Sequence, residues 1–544
     1  MIQPAGTSEP LTTPAPHASS AAPEPAVPFQ QVLLLCLPAL IVGLVFRVSF
    51  MFAMPEIYYG GDSNSYFEGA WKLWTQGDFF LNEKRRFLYP IVLMFMPLLP
   101  NNTAVDTAVV QHLLGLVIIV GIGWIVAQMT RFPYLWVPLV TCAAAIWPRM
   151  LWYEHEMIAE VWLLAAFVAA VAIAVPCGAL KDQRRLFWFL VAEAAIVATK
   201  PHGKPLWFGL LLMALMMAGN PLKWERKNWA MVAIAVVIFF TAGSGQQGSW
   251  LFLSSTLPFV RTEGEPYSQY RAMLKPAVED VRTDLPNYAS RPSYKKALNG
   301  GHEQGRPDLG EGWRVLTKDQ ALYKKVANRL ALEAVLAHPI GYGQLVLRKI
   351  ALASQNMNAG KFSPERFWRG QVAANAERIP RKKNQLGLVY GMPIEDYLRV
   401  VDERRQRTTW LTPVMTQVSS ALNWANYRHG QPGQDPEIKL TWLGWLLALG
   451  LVACLAPRHF VCRALLWFPV ALYLFFIFGV GDAVRRYFHP VEWVGLVIIA
   501  IGLDTVLGLS ANAKAWLRQR VSRRSDTPES SARSPVASEE KRAG

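Results

Sequence analysis

An acidic residue stands where the chain leaves its first apolar run. Asp62 follows Gly60 and Gly61 in the stretch YYGGDSNSYFEGAWKLWTQGDFF. Glycine permits backbone angles that other residues avoid, and it lets a substrate approach the main chain closely. A carboxylate in such a place can accept a proton from an attacking hydroxyl group. The structural alternative is that Asp62 caps the following helix, because aspartate is among the best N-cap residues.

A second acidic group occurs in the segment YEHEMIAE. Glu156 and Glu160 stand one helical turn apart, with His155 beside them. The segment is not a zinc-protease motif, since Ala159 occupies the position of the second histidine. These three residues can assist a base, bind a metal or position a sugar, and an ordinary polar helix end is the alternative. A divalent metal is therefore one option here, and the sequence indicates no other cofactor.

Basic residues stand beside the apolar runs at four separate places. They are Lys84, Arg85 and Arg86; Arg149; Lys200 and Lys204; and Arg485 and Arg486. Arginine and lysine make charge-assisted hydrogen bonds that suit a phosphate group, and one phosphate site would explain why they recur. The alternative is that they extend to lipid headgroups or pair with Glu83, Glu154, Glu156 and Asp482.

The composition indicates the environment in which these residues act. Of 544 residues, 52% are hydrophobic and only 17% are charged, against about 25% charged residues in soluble proteins. The formal charge of +16 is spread over short loops and the tail KAWLRQRVSRRSD. That distribution is typical of a cytoplasmic membrane face and gives no reason to expect nucleic acid. The five cysteines fall in or beside apolar runs, which indicates packing and neither a disulfide scaffold nor a zinc site.

Ten apolar runs approach the roughly 20 residues that a helix needs to cross a bilayer. They cover residues 29–52, 105–129, 132–148, 157–177, 186–199, 205–219, 229–246, 438–456, 464–480 and 490–510. With a cytoplasmic N-terminus, the inside loops carry basic residues, as the positive-inside rule requires. The sequence therefore predicts an all-α polytopic membrane protein with about ten transmembrane helices. The four basic groups named above then lie at its outer face.

The same topology divides the chain into parts with different roles. The predicted parts are a disordered tail over 1–28, a membrane core over 29–246 with its first outer loop at 53–104, an outer segment over 247–437, the last transmembrane helices over 438–510, and a basic, disordered cytoplasmic tail over 511–544. The outer segment is too long for a connecting loop and contains the amphipathic stretch DQALYKKVANRLALEAVLAHPIGYGQLVLRKIALAS. It is predicted to form a mostly helical extracytoplasmic domain.

The first outer loop must position Asp62, and its pattern predicts two juxtamembrane helices. Ser65 and Glu68 have capping-box spacing at a helix start. An apolar aromatic face follows, made by Tyr66, Phe67, Ala70, Trp71 and Trp74. The later run FLYPIVLMFMPLLP is too short to cross a bilayer and contains two interior prolines, so it predicts a second interfacial or re-entrant element.

The order of these segments resembles a known superfamily. A first span precedes GGDSNSYFEGAWKLWTQGDFF, RRFLYPIVL, YEHEMIAE, KPHGKP and a late RRYFHP. Over residues 29–246 and 438–510 this order is similar to that of the GT-C integral membrane glycosyltransferases, and within them to the protein O-mannosyltransferases and the lipid A aminoarabinose transferases. The resemblance implies transfer of a sugar from a polyprenyl-phosphate donor to an extracytoplasmic glycan, lipid or protein. It also implies the cytoplasmic membrane of a bacterium, with the active site on its outer side.

The resemblance also implies roles for single residues. The acidic residue of the first outer loop is the catalytic base in such families, and Asp62 stands at that position. Their paired juxtamembrane helices correspond to residues 64–76 and 86–99. The implied contacts to the donor phosphate are Arg85 or Arg86 and Arg486, with Lys200, Lys204 and Arg149 as further candidates. The candidates for acceptor or sugar contacts are His155, Glu156, Glu160, Tyr487 and His202.

Other functions fit parts of the same sequence. A transporter or flippase of lipid-linked glycans would favour internal repeats and buried ionisable residues. Glu193 and Asp504 do lie inside apolar runs, but no clear repeat is present and the polar residues gather at one face. A polymer ligase or polymerase would use the same type of donor. A purely structural role leaves the basic outer loops unexplained.

Overall fold

The structure, a computed structural model, is almost entirely helical. It describes residues 27–60, 62–82, 85–176, 178–241, 247–290, 294–299, 307–355, 380–393, 395–397, 399–400, 411–431, 434–456, 460–481 and 483–525. The helices of the core are α1 (Phe29–Ala53), α2 (Ser63–Gln76), α3 (Leu88–Phe95), α4 (Thr103–Met129), α5 (Pro133–Ala145), α6 (Pro148–Glu154), α7 (Glu160–Ala174), α8 (Gln183–Thr199), α9 (Lys204–Met217) and α10 (Arg226–Thr241). Most of the predicted tail over 1–28 lies outside the described residues. Disorder from residue 511 is wrong for residues 511–525, because they continue the last helix of the chain; residues 526–544 lie outside the described part.

The remaining elements follow the tenth helix. They are α11 (Gln247–Thr256), α12 (Ser268–Arg282), α13 (Lys295–Leu298), α14 (Gly310–Lys318), α15 (Gln320–Ala337), α16 (Pro339–Ser354), α17 (Pro380–Tyr390), α18 (Leu411–Ala421), an antiparallel hairpin of β1 (Ala425–Arg428) and β2 (Glu437–Leu440), α19 (Trp442–Cys454), α20 (Phe460–Val480) and α21 (His489–Ser525). The hairpin is the one sheet among the described residues.

The helical, multi-pass class predicted from the sequence is confirmed, whereas the count of ten spans stays a prediction. Four described helices are long and apolar enough to cross a membrane, and the number rises to six if each of two bent pairs is one span. The four are Phe29–Ala53, Thr103–Met129, Phe460–Val480 and His489–Trp516. The other predicted runs also fall in helices, but those helices are shorter or less apolar.

Proline explains both bends. The predicted span 132–148 is two helices, α5 and α6, which meet at 53° just before Pro148. The amphipathic helical stretch predicted over residues 319–354 is helical, and it forms two helices, α15 and α16, which meet at 103° before Pro339. Proline has no N–H to donate to the preceding turn, and its ring clashes there, so a helix ends before it and a new one begins.

The core is built around α4, which packs against α1, α5 and α7. Neighbouring pairs extend this bundle: α7 packs on α8, α8 on α10, α9 on α20, and α19 on α21. The last pair approaches through glycines, since a Cβ at Gly502 would lie 2.6 Å from Gly450 Cα. Small residues let the backbones of membrane helices come this close and gain dispersion contacts.

The two juxtamembrane helices predicted in the first outer loop are present as α2 and α3. They pack against each other, and Trp74 Nε1 donates a hydrogen bond of 2.8 Å to Met94 O. The predicted capping box is wrong, because α2 begins at Ser63 and Ser65 lies inside it. Ser65 Oγ donates to Asp62 O, and Glu68 Oε2 accepts from Asn82, so neither side chain serves as the predicted cap.

Helices of the 247–437 segment pack directly on the core. The α11 and α16 helices lie against α20, and α16 also contacts the 3₁₀ turn Arg485–Tyr487. The α17 helix contacts α2 and α4, and Tyr59 in the first outer loop donates a hydrogen bond of 2.8 Å to Gln385 Oε1. The predicted extracytoplasmic position of this segment stays a prediction.

Candidate functional site

Asp62 lies between two arginines from distant parts of the chain. Its Oδ1 accepts a hydrogen bond from Arg85 Nη2 at 2.8 Å, and its Oδ2 lies 2.5 Å from Arg486 Nη1. Asp62 occupies the N-cap position of α2, but its side chain makes no capping hydrogen bond. The capping role is therefore wrong, because two guanidinium groups hold both carboxylate oxygens and turn them from the helix end.

The charge state of Asp62 follows from this geometry. Burial alone would raise the pKa of its carboxyl group, but Arg486 and then Arg85 outweigh burial and hold that pKa well below its usual range. The carboxylate is therefore ionised at neutral pH. Its side chain keeps 33% of its surface exposed, so a substrate can reach it.

Arg486 also connects Asp62 to a second carboxylate. Its Nε lies 3.8 Å from Glu160 Oε1, and the same oxygen accepts a hydrogen bond from Lys200 Nζ. Glu160 is the first residue of α7, and Lys200 follows the last residue of α8. The site thus contains five side chains that are formally charged: the carboxylates Asp62 and Glu160, and the cations Arg85, Arg486 and Lys200. Their formal charges leave an excess of one cation.

The Arg85 side chain is fixed by residues of α2. Its Nε donates a hydrogen bond of 2.6 Å to Ser65 Oγ, and its Cζ lies 4.3 Å from the centre of the Tyr66 ring. Cations are attracted to the face of an aromatic ring, so Tyr66 supports the position that the salt bridge to Asp62 requires. Sequence reasoning missed both contacts, since Ser65 and Tyr66 were assigned to helix capping and membrane packing.

Tyr487 forms an aromatic wall beside these cations. Its ring centre is 4.3 Å from that of His202 and 5.2 Å from both Lys200 Nζ and Arg486 Cζ. Burial, Lys200 and Arg486 keep the pKa of His202 well below its usual value, so the ring is neutral. His202 Nδ1 is buried without a hydrogen-bond partner in the described part of the chain, and it is therefore available to a ligand.

Glu156 adjoins the segment that carries Asp62. Tyr58 N donates to His155 O at 2.8 Å, and Met157 N donates to Tyr58 O at 2.9 Å, so the two segments form a short parallel bridge. A Cβ at Gly60 would lie 3.1 Å from Glu156 Oε1, so a larger residue there would require Glu156 to shift. Burial, with a further contribution from Glu160, raises the pKa of Glu156 to about 7.

Three of the predicted phosphate contacts lie elsewhere. Arg86 is fully buried, and its guanidinium donates to the carbonyl groups of Ile238 and Phe239 in α10. Lys204 Nζ lies 4.5 Å from the centre of the Phe239 ring. Both cations therefore face α10, and not Asp62.

Arg149 occupies a third environment. Its side chain is completely buried, its Nη1 lies 3.3 Å from Glu492 Oε1, and its Nη2 donates to Gln355 O. The guanidinium thus joins α6 to α21 and to the residue after α16. Of the predicted donor contacts, Arg85 and Arg486 contact Asp62, and Lys200 is linked to Arg486 through Glu160.

His155 belongs to a separate buried network. Its Nε2 lies 2.9 Å from Glu56 O, and its Nδ1 lies 2.9 Å from His112 Nε2. His112 in turn lies 2.9 Å from Glu154, which is 2.5 Å from Arg47. Sequence reasoning missed Arg47 and His112 in this role, although an ionisable residue inside an apolar run signals a buried partner.

The acidic residues do not form a metal site of the usual kind. In the part of the chain that the structure describes, no group of three or more histidine, cysteine, aspartate or glutamate side chains could hold one ion. Glu156 and Glu160 are neighbours, but the nearest charged partners of Glu160 are Lys200 and Arg486. No residue is therefore assigned to a metal.

Comparisons with known proteins yield a distant structural similarity. No protein-family model and no curated protein matches the chain. Among solved structures, a similar one is the crystal structure of ArnT from Cupriavidus metallidurans bound to undecaprenyl phosphate. It is 15% identical, with a TM-score of 0.29, and the match covers 88% of this chain and 78% of that one. Membership of the GT-C superfamily stays a prediction, and the function must be inferred from the side chains of this chain.

Proposed function

We propose that the chain is a membrane glycosyltransferase that moves a sugar from a polyprenyl-phosphate donor to a hydroxyl group of an extracytoplasmic glycan, lipid or protein. The observation that carries this proposal is the partly exposed Asp62 carboxylate, held between Arg85 and Arg486 in a cluster with one excess cation. The donor is a phosphodiester with one negative charge, which would neutralise that excess. The lipid part of the donor would lie among the apolar helices.

The reaction that fits this arrangement is a single displacement with inversion. The acceptor oxygen forms a bond to the anomeric carbon while the bond from that carbon to the phosphate oxygen breaks. Asp62 takes the hydroxyl proton, and the polyprenyl phosphate leaves with the electron pair of the broken bond. Arg85, Arg486 and Lys200 stabilise the negative charge on the departing phosphate.

Donor binding also changes the basicity of Asp62. In the free protein two arginines stabilise the carboxylate, and a carboxylate with a low pKa is a weak base. A phosphate that accepts hydrogen bonds from Arg85 and Arg486 weakens their contacts with Asp62 and so raises its pKa toward the usual value. The proposal therefore includes an order, in which the donor binds before the acceptor is deprotonated.

Neighbouring polar groups are suited to hold the sugar or the acceptor. Glu156, whose pKa is about 7, carries a proton in part of the molecules at neutral pH and can donate or accept a hydrogen bond. Glu160 Oε2 and His202 Nδ1 are buried and lack a hydrogen-bond partner among the described residues. Tyr487 supplies an apolar ring face beside them. These groups can orient sugar hydroxyls without a metal ion being assigned.

The decisive experiment supplies single-sugar donors to the purified protein in lipid nanodiscs. A panel of undecaprenyl-phosphate sugars is incubated with glycan, lipid and peptide acceptors, and released undecaprenyl phosphate is quantified. The wild-type protein should release the lipid phosphate with at least one donor, and Asp62→Asn should abolish the release. Asp78→Asn, which removes an exposed carboxylate after α2, is the matched control. If the same protein, reconstituted into vesicles, moves intact donor across the bilayer without release, it is a flippase.

A further inference from the structure

A buried lysine of the 247–437 segment contacts the end of a core helix. Lys349 in α16 is only 4% exposed, and its Nζ donates hydrogen bonds to Gly481 O at 2.9 Å and to Ser255 Oγ at 3.0 Å. Ser255 Oγ, in α11, lies 3.0 Å from Val480 O and 3.1 Å from Gly481 O. Two helices of the segment therefore converge on the last carbonyl groups of α20.

These carbonyl groups are the ones that a helix leaves without internal donors. The partial negative charge at a helix C-terminus also favours a cation there. The α20 helix ends at Val480, so Lys349 and Ser255 together provide donors and a positive charge where α20 requires them. The ammonium group is thereby held in one position, and it determines where the backbone leaves α20.

The residues that follow lead directly into the proposed site. The turn Arg485–Tyr487 begins four residues after Gly481, and α16 packs against that turn. On its other side the turn is held by Tyr473, whose hydroxyl donates a hydrogen bond of 2.8 Å to Tyr487 O. Arg486 must extend from this turn to within 2.5 Å of Asp62. A shift of the backbone at Gly481 would therefore move the guanidinium.

The α16 helix also contacts its neighbours near both of its ends. A Cβ at Gly479 would lie 2.7 Å from the Tyr342 hydroxyl, so the glycine leaves room for that ring. At the other end of α16, Gln355 O accepts a hydrogen bond from Arg149, and Gln355 Nε2 donates to Tyr427 O at 2.8 Å. Contacts at both ends make α16 a fixed support and not a loosely attached helix.

We propose that Lys349 is a positioning residue for Arg486, and that the 247–437 segment thereby helps to form the donor-phosphate site. This inference rests on the proposed role of Arg486 in binding the donor. Lys349 itself does not contact Asp62, Glu160 or the reacting atoms. Its effect on donor binding passes through its contacts at the end of α20 and through the packing of α16 on the turn.

A double-mutant cycle tests this coupling. The affinity for undecaprenyl phosphate is measured for the wild type, Lys349→Met, Arg486→Gln and the double variant. Loss of a charge-assisted contact to the phosphate weakens binding by about 10- to 100-fold. Lys349→Met should show such a loss alone and no further loss when Arg486→Gln is already present, because coupled residues are not additive. Lys324→Met, at an exposed position of α15, is the matched control and should bind normally.

A second readout does not depend on the proposed function. Hydrogen exchange of the peptide covering 473–488 should become faster in Lys349→Met, while exchange in α2 stays unchanged, and Lys349→Arg should restore part of the protection. Ser255→Ala should produce a smaller effect in the same peptide, so the test survives if Lys349→Met does not fold. Equal losses of affinity with and without Arg486→Gln, or unchanged exchange in this peptide, would overturn the inference. If Arg486→Gln alone leaves affinity unchanged, the donor-site proposal fails, and the exchange result still decides whether Lys349 positions the turn.

Discussion

Arg486 Nη1 lies 2.5 Å from Asp62 Oδ2, although the two residues stand near opposite ends of the membrane core sequence. This contact joins the start of α2 to the turn before α21. It also means that the Asp62 carboxylate and the donor phosphate compete for Arg486, because one guanidinium cannot give its best hydrogen bonds to both. The opposite roles of the two residues can be separated experimentally.

Asp62→Asn should remove catalysis while preserving the fold and donor binding. Asparagine cannot take the acceptor proton, so turnover should fall by about two to four orders of magnitude. Removing the negative charge also frees Arg85 and Arg486, so undecaprenyl phosphate should bind more tightly than to the wild type. Release assays and equilibrium binding on the same preparation test both parts.

The alanine variant supplies the structural control for Asp62. Because the side chain makes no capping hydrogen bond, Asp62→Ala should be less stable than Asp62→Asn only by the contact to Arg85 that asparagine can keep. Near-normal sugar transfer by either variant would exclude Asp62 as the base and direct attention to Glu156 and Glu160.

Arg85 and Arg86 should behave differently although they are adjacent in sequence. Arg85→Gln and Arg486→Gln should each weaken binding of undecaprenyl phosphate by about 1.5–3 kcal/mol, since each removes a charge-assisted contact. Arg86→Gln should leave that affinity unchanged and lower the thermal stability, because its guanidinium binds carbonyl groups of α10. Binding and unfolding curves for the three variants test this difference. Normal affinity in both Arg85→Gln and Arg486→Gln would rule out the proposed phosphate site.

Glu156 should make the protein less stable as the pH rises toward neutral. Its pKa is about 7 in the folded protein, against 4.5 for an ordinary exposed glutamate, so the folded state retains a proton that the unfolded state has lost between these pH values. Folding stability therefore falls from about pH 4.5 to about pH 7 as this proton is lost. Asp62 acts in the opposite direction and only below the ordinary aspartate pKa of 3.8, because its own pKa is lowered in the folded protein.

Thermal unfolding at pH 5, 6, 7 and 8 isolates this contribution. In Glu156→Gln the decrease in melting temperature with rising pH should be smaller than in the wild type. Glu263→Gln, which changes an exposed glutamate of the 247–437 segment, serves as the control. Parallel curves for Glu156→Gln and the wild type would show that Glu156 does not titrate in this range.

Gly115→Ala should disrupt the buried network behind the site. A Cβ at Gly115 would lie 2.0 Å from Glu154 Oε1, and Glu154 is held by Arg47 and His112. Forcing an extra methyl group into a packed interior costs about 1–3 kcal/mol. Gly343→Ala is the matched helical control, because a Cβ there meets nothing within 4 Å. Thermal unfolding of the two variants in detergent should show a loss for the first and none for the second.

Sequence alone determined the features that depend on local composition. Apolar runs of sufficient length predicted the helices of the membrane core, because burying the backbone in lipid requires internal hydrogen bonding. The same local reasoning predicted α2 and α3 and placed Asp62, Arg85 and Arg486 beside apolar runs. It also identified Glu156, Glu160, Lys200, His202 and Tyr487 as candidates, and the structure places them beside the arginines or the Asp62 segment.

Tertiary structure decided which of these candidates meet. The local sequence favoured a helix cap for Asp62. Only tertiary packing brings Arg486 close enough to bind its carboxylate oxygens. Arg85 and Arg86 are the same residue type at adjacent positions, but the backbone directs Arg85 toward α2 and Arg86 toward α10. Ion pairs depend on distances in space, whereas hydrophobic periodicity depends on spacing along the chain. For that physical reason the helices could be predicted from sequence, and the partners of Asp62, Arg86 and Arg149 could not.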